Sequence, residues 1–150
     1  MLLVMTAAVA ACIAGCSKED IEAAREAGLH LVAIVPPNAS DERVARIAGL
    51  TSGYTYLLSR VGITSTDHAS GTPAERIIRD LERAKAPPAL LGFGISTPEH
   101  VRRALEAGAA GVIVGSALVK IVSEHLGDRD AMLKALGSAA APFKAATRTA

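Results

Sequence analysis

The segments most able to do chemistry are Gly92-Phe93-Gly94 and Gly115-Ser116, each placed after a short apolar run and ahead of a helix-forming stretch. Glycine lets an anion reach the backbone without a Cβ in the way, and the amides that open a helix carry partial positive charge. In parallel α/β proteins ligands gather beyond the C-terminal ends of the strands, which is where both segments fall. Neither contains Lys or Arg, so an anion would be held by backbone amides and the Ser116 hydroxyl. A single glycine before a helix is more often a turn or packing device. Two such segments on consecutive strand ends, with one helix between them, point to a phosphate ester.

Other chemistries find little support. His30, His68, His100 and His125 are isolated, His100 and His125 in helical stretches, where solvent-facing or core-edge roles suffice. No His-Glu-x-x-His or P-loop lysine pattern occurs, and Ser116 lacks the Gly-x-Ser-x-Gly setting of a hydrolase nucleophile. Cys12 and Cys16 are the only cysteines and have no second ligand pair, so neither a metal nor a cofactor is expected. Basic and acidic side chains number 16 and 15, mixed along the helical stretches, and no aromatics are interleaved for base stacking. That pattern is a solvated helix face and excludes a nucleic-acid surface.

The elements that must position the two glycine segments can be read from caps and periodicity. Ser17 with Asp20 opens a helix that Gly28 closes; a strand over Leu29 to Val35 stops at Pro36-Pro37. Ser40 caps a second helix with Asp41 and Glu42 at its positive end, and Gly53 precedes a strand over Tyr54 to Ser59. Arg60 to Gly71 has no apolar period and reads as a loop of functional length. Thr72, Pro73 and Glu75 launch a helix to about Ala86. The strand Ala89 to Phe93, a helix from Thr97 to Gly108, the strand Gly111 to Val114 and helices over Ser116 to Leu126 and Asp130 to Ala140 complete the chain. Half of the residues are hydrophobic, mostly Ala, Val, Ile and Leu, which suits a parallel sheet under Ala-rich helices. The fold class is therefore α/β, with about four parallel strands each followed by a helix. Four strands cannot close a (β/α)8 barrel alone: the chain is half of one, pairs with a second copy, or forms an open sheet.

Residues 1–16 form a separate apolar segment, too short to span a bilayer as a helix. Ile13-Ala14-Gly15-Cys16 resembles the lipobox of bacterial lipoproteins, which gives a lipid-anchored alternative through Cys16; no Lys or Arg precedes Lys18, as a signal peptide would require. The other reading is an atypical start, from a truncated or misread gene. Residues 17–150 have the look of a cytoplasmic enzyme.

From about Ala23 onward the chain resembles the tryptophan synthase α-subunit family. The resemblance is carried by LVAIVPPNASDERV, GYTYLLSRVGIT, PPALLGFGIS with TPEHV, AGAAGVIVGSALVKI, and MLKAL followed by PFKAAT. It implies the C-terminal half of a TIM (β/α)8 barrel. It also implies a carbon–carbon lyase of tryptophan biosynthesis that cleaves indole-3-glycerol phosphate to indole and glyceraldehyde 3-phosphate, with a β-subunit partner that receives the indole through a tunnel. Carried over by residue, Gly94, Gly115 and Ser116 would bind the substrate phosphate. Phe93 would line the indole pocket, Tyr56 would sit beside the substrate, and Thr64 would belong to a loop that closes over it. The family usually has Gly-Val-Thr-Gly where this chain has Gly62-Ile63-Thr64-Ser65, which affects an amide at Ser65. The family's glutamate acid-base and its indole-polarising aspartate lie on early strands, so no catalytic residue is assigned here, and Asp67 and Glu75 are not substitutes. Three functions stand as expectations: a lyase fragment that binds phosphate, a non-catalytic phosphate-binding half-barrel that self-associates, and a membrane-tethered lipoprotein.

Overall fold

The computed structural model describes residues 17–58 and 72–148. The lipobox, Thr64, Ser65 and His68 lie outside the described residues. The element order is α1 (Lys18–Glu26), β1 (Ile34–Val35), α2 (Asp41–Leu50), β2 (Thr55–Leu57), α3 (Pro73–Arg83), β3 (Ala89–Leu91), α4 (Pro98–Glu106), β4 (Gly111–Val112), α5 (Ser116–Glu124) and α6 (Arg129–Ala146). The strands form one sheet in the order β1-β2-β3-β4, every pair parallel, with Ile34 beside Tyr56, Tyr56 beside Leu90 and Leu90 beside Gly111. Four parallel strands each followed by a helix are the repeating unit of a partial (β/α)8 barrel, as the sequence implies.

Local chemistry sets most helix starts. Ser17 and Asp20 cap one another's amides at α1, Thr72 and Glu75 do the same at α3, and Ser40, Thr97 and Asp128 each accept an amide of the first turn of α2, α4 and α6. Gly28 and Gly108, at φ +68 and +95, end α1 and α4 in the left-handed conformation that glycine adopts without a Cβ clash.

Several boundaries differ from the sequence reading. β1 spans only Ile34–Val35 because it is an edge strand: the Leu31 amide donates to Ser52 Oγ (3.0 Å) and the Ser52 amide to Leu31 O (2.7 Å), so the stretch before Ile34 bonds to the loop preceding β2. α3 ends at Arg83, where Lys85 takes φ +55 and the Ala86 amide closes the turn onto Leu81 O (2.9 Å). β4 ends at Val112, two residues early. α6 runs on to Ala146, through Pro142. A helix-interior proline costs about 3 kcal/mol; here Phe143 packs on the core and Ala146 is buried, which offsets it.

The core lies on one side of the sheet. Val35, Leu57 and Leu91 project from the strands onto Val44 of α2, Ile77 and Leu81 of α3 and Val101 of α4, all essentially inaccessible to water. Thr55 sits in the same layer with its hydroxyl donating to Pro87 O (3.1 Å). The alternate residues, Ile34, Tyr56, Leu90 and Gly111, face the other way, and Ile34 keeps 43% of its surface exposed. No residue of α5 is buried.

This asymmetry predicts unequal losses on truncation. Leu91→Ala should cost about 2–5 kcal/mol in urea unfolding, whereas Val119→Ala, on α5, should stay within about 0.5 kcal/mol. Equal losses at the two positions would contradict a core that leaves α5 outside it.

Candidate functional site

Tyr56 and Gly92 meet at the C-terminal ends of β2 and β3. The Tyr56 hydroxyl donates to the Gly92 carbonyl, and the Gly92 amide donates to Leu57 O (3.1 Å). A Cβ on Gly92 would strike the Tyr56 ring. Gly92 is thus a packing glycine whose amide belongs to the sheet, and the sequence expectation that it bares its backbone to an anion does not hold. Its role needed the three-dimensional neighbour, since nothing local to Gly92 announces Tyr56, 36 positions away.

Beyond this contact the chain lifts into solvent. Phe93 is 48% exposed, and Gly94 is exposed with φ +74, a conformation that favours glycine over any residue with a Cβ. Ile95, buried again, pins the far end of the turn. The next residue is held from an unexpected quarter: the Ser96 amide donates to His100 Nδ1 (3.3 Å), and the Ser96 hydroxyl lies 3.4 Å from the same nitrogen. His100 thus holds the residue before the N-cap Thr97, whereas Asp20 and Glu75 at α1 and α3 hold the amide of the N-cap itself. The sequence reading has it isolated, although Thr97-x-x-His100 has the spacing of a capping box.

Gly115 and Ser116 open α5. Five of the six helices among the described residues have an N-cap side chain bonded to a first-turn amide; α5 has none. Space around the Gly115 Cα is open, and its carbonyl accepts the Leu118 and Val119 amides (3.0 and 3.1 Å), so the amides before them have no intrahelical acceptor. Gly94 and Gly115 stand three residues beyond Leu91 and Val112 respectively, which are register partners. They follow the ends of neighbouring strands, and paired strands lie about 4.8 Å apart. Of the residues singled out from sequence, the structure brings Gly94, Gly115 and Ser116 to adjacent strand ends and sets Tyr56 and Phe93 on the neighbouring side.

Several charged groups at this end have partners. Arg76 donates to Ala39 O (2.9 Å) and pairs with Asp41 and Asp80, both at 3.2 Å, tying α3 to the turn after β1; sequence reasoning assigns it only to a solvated face. Glu75 accepts the Thr72 amide (3.2 Å). Glu99 bonds Arg102 (2.7 and 3.0 Å) and Arg103 (3.2 Å), and these bonds, Arg102's first, hold its carboxyl below the ordinary glutamate range. No helix among the described residues is long and apolar enough to cross a membrane.

The family profile described as "Tryptophan synthase alpha chain" matches residues 12–148. The chain belongs to that family. Tryptophan synthase alpha chains of Vibrio vulnificus and Photobacterium profundum are 49% and 48% identical to it over 132 residues, 88% of this chain in each case. The solved tryptophan synthase α2β2 complex of Pyrococcus furiosus includes a chain superposing with a TM-score of 0.69 at 38% identity, covering 85% of this chain and 50% of that one. The chain spans about half the length of the tryptophan synthase alpha chains it matches, 49% of those from Vibrio and Photobacterium.

In this tryptophan synthase alpha chain relative, Gly92→Ala should force the Tyr56 ring off the β3 end and cost about 1–3 kcal/mol. Placed in a Tyr56→Ala background the same change should cost much less, because the added methyl enters vacated space. Strictly additive losses in denaturant unfolding would show that the two residues do not meet.

Proposed function

We propose that this chain supplies the phosphate-binding and indole-facing side of an enzyme that cleaves indole-3-glycerol phosphate to indole and glyceraldehyde 3-phosphate. The observation that carries the reading is the uncapped N-terminus of α5, which follows the strand next to the one that the Gly94 turn follows. Amides opening a helix attract an anion, and a phosphate there would complete the first turn as Ser40, Thr72 and Thr97 do at α2, α3 and α4. Ser116 adds a hydroxyl donor. Phe93 offers an exposed aromatic face for the indole ring, and Tyr56 lines the approach from β2.

Breaking the carbon–carbon bond requires a proton delivered to the indole ring carbon and another removed from a hydroxyl of the glycerol side chain. At the described site end Asp41, Glu75 and Glu99 are each engaged by a neighbour. In this proposal the described residues bind and orient, and the proton-transfer carboxylates come from the other strands of a complete barrel. A β subunit that takes up the indole is the partner, a reading supported by the α2β2 assembly of the Pyrococcus furiosus relative.

Titration calorimetry with glycerol 3-phosphate tests the site. Gly94→Val, which cannot hold φ +74 without strain, should weaken binding at least about tenfold, equivalent to about 1.4 kcal/mol. Ser116→Ala, losing one hydroxyl donor, should weaken it by a factor of about 2–10. Unchanged affinity in both variants contradicts the assignment. Indole should form from indole-3-glycerol phosphate only when the N-terminal barrel half of a relative is added, and turnover by the chain unaided would overturn the division of roles.

A further inference from the structure

The turn that carries Gly94 is fastened at both ends. Before it, Gly92 is bound to β2: its amide donates to Leu57 O (3.1 Å) and its carbonyl accepts the Tyr56 hydroxyl. Behind it, Ile95 is buried and the Ser96 amide donates to His100 Nδ1 (3.3 Å). The two fastenings differ in kind. The first belongs to the sheet, whereas the second is a side chain reaching back from the first turn of α4. That helix is firmly seated, because Val101 and Ala104 are fully buried, so the backbone that carries the imidazole is fixed by the core. The other groups of this first turn are directed elsewhere. The His100 amide donates to Thr97 Oγ1 (3.3 Å), Pro98 has no amide, and the Glu99 carboxylate runs down the helix to Arg102 and Arg103.

We propose that His100 is a positioning residue for anion binding: by accepting the Ser96 amide it sets how the Gly94 peptide faces, and with it the affinity of the turn for phosphate. A backbone N–H can only donate, so Nδ1 must present its lone pair to Ser96. The neutral ring then carries its proton on Nε2. The Ser96 hydroxyl, 3.4 Å from Nδ1, lies at the edge of hydrogen-bond reach of the same lone pair. Gly94 needs such a hold more than an ordinary residue would. It is exposed, and glycine reaches far more of φ, ψ space than a residue with a Cβ, so its φ of +74 is kept by what the neighbours do. Backbone freedom that a ligand must freeze weakens binding, and a turn already held in its bound form avoids that loss. His100 acts through Ser96 and need not touch the anion. The proposal rests on the phosphate reading of Gly94, Gly115 and Ser116 and extends it to a side chain outside the strand ends.

Titration calorimetry with inorganic phosphate on the full chain, with far-UV circular dichroism as the folding check, is one half of the test. His100→Ala should weaken binding by a factor of about 2–10, the worth of one net hydrogen bond. His100→Asn sets an acceptor oxygen as many bonds from Cβ as Nδ1, and should bring affinity back to within about twofold of the unchanged chain. A general loss of packing would not be repaired by a side chain that removes the ring. The other half is 15N NMR of the ligand-free chain at about pH 8, where an ordinary histidine is neutral. There the unchanged chain should show His100 with Nδ1 unprotonated, a readout that needs no substitution. His100→Ala should move the Gly94 and Ser96 amide signals and leave those of Gly115 and Ser116 nearly still. Undiminished affinity in His100→Ala, a loss that His100→Asn does not restore, or a proton on Nδ1 would each overturn the proposal and leave the phosphate reading standing. Failure of the unchanged chain to bind phosphate would end both.

Discussion

Parallel pairing is the constraint on which the rest depends. With all four strands running one way, the helices that succeed them begin at the same end of the sheet, and their exposed amides gather there. At α2, α3 and α4 the chain answers its own amides with Ser40, Thr72 and Thr97. At α5 it does not, because Gly115 has no side chain to offer. A single unanswered helix start beside a left-handed glycine turn is what distinguishes this strand end from its neighbours, and it sets the kind of ligand that would complete it.

The packing that fixes the strand ends is one-sided. Leu57 and Leu91 are locked against Ile77, Leu81 and Val101, while their neighbours along the strands point the other way. On that second face the Tyr56–Gly92 contact is the main anchor: it spends the amide and carbonyl of Gly92 on β2 and lets the chain depart from the sheet only at Phe93. α5 is held differently, with no buried residue of its own and its apolar side chains half-covered by α6. The two segments of the candidate site therefore rest on unequal foundations, a pinned turn after β3 and a lightly seated helix after β4.

How much of this was legible in the sequence depended on how local the cause was. Caps act over three residues, and Ser17 with Asp20, Ser40, Thr72 with Glu75, and Thr97 all mark their helices correctly. Strand existence and order could be read from the alternation of apolar runs and helices. Strand length could not: β1 and β4 pair on one side only, and the inner strand β3 also stops two residues before Phe93, where Gly92 meets Tyr56. The last helix was read only to Ala140; the burial of Phe143 and Ala146 by the rest of the fold carries α6 on through Pro142. At the site, Gly94, Gly115 and Ser116 were visible because glycine and a helix start are local signals. The role of Gly92 was misread because Tyr56 is distant in sequence, and the tie from Arg76 to Ala39 was invisible for the same reason. His100 was missed for a lesser cause: an imidazole stands where the pattern leads one to look for a carboxylate.

The register of β3 and β4 puts the Gly94 turn and the start of α5 after neighbouring strand ends; the claim that depends on this is that their amides grip one anion together. Amide chemical shifts of the 15N-labelled full chain, followed while inorganic phosphate is added, test that most directly. The account predicts that Gly94, Gly115 and Ser116 shift along one saturation curve with a single dissociation constant, while the sheet-bonded amide of Gly92 stays nearly still. Shifts confined to the N-termini of other helices, or three different curves at the three residues, would contradict it.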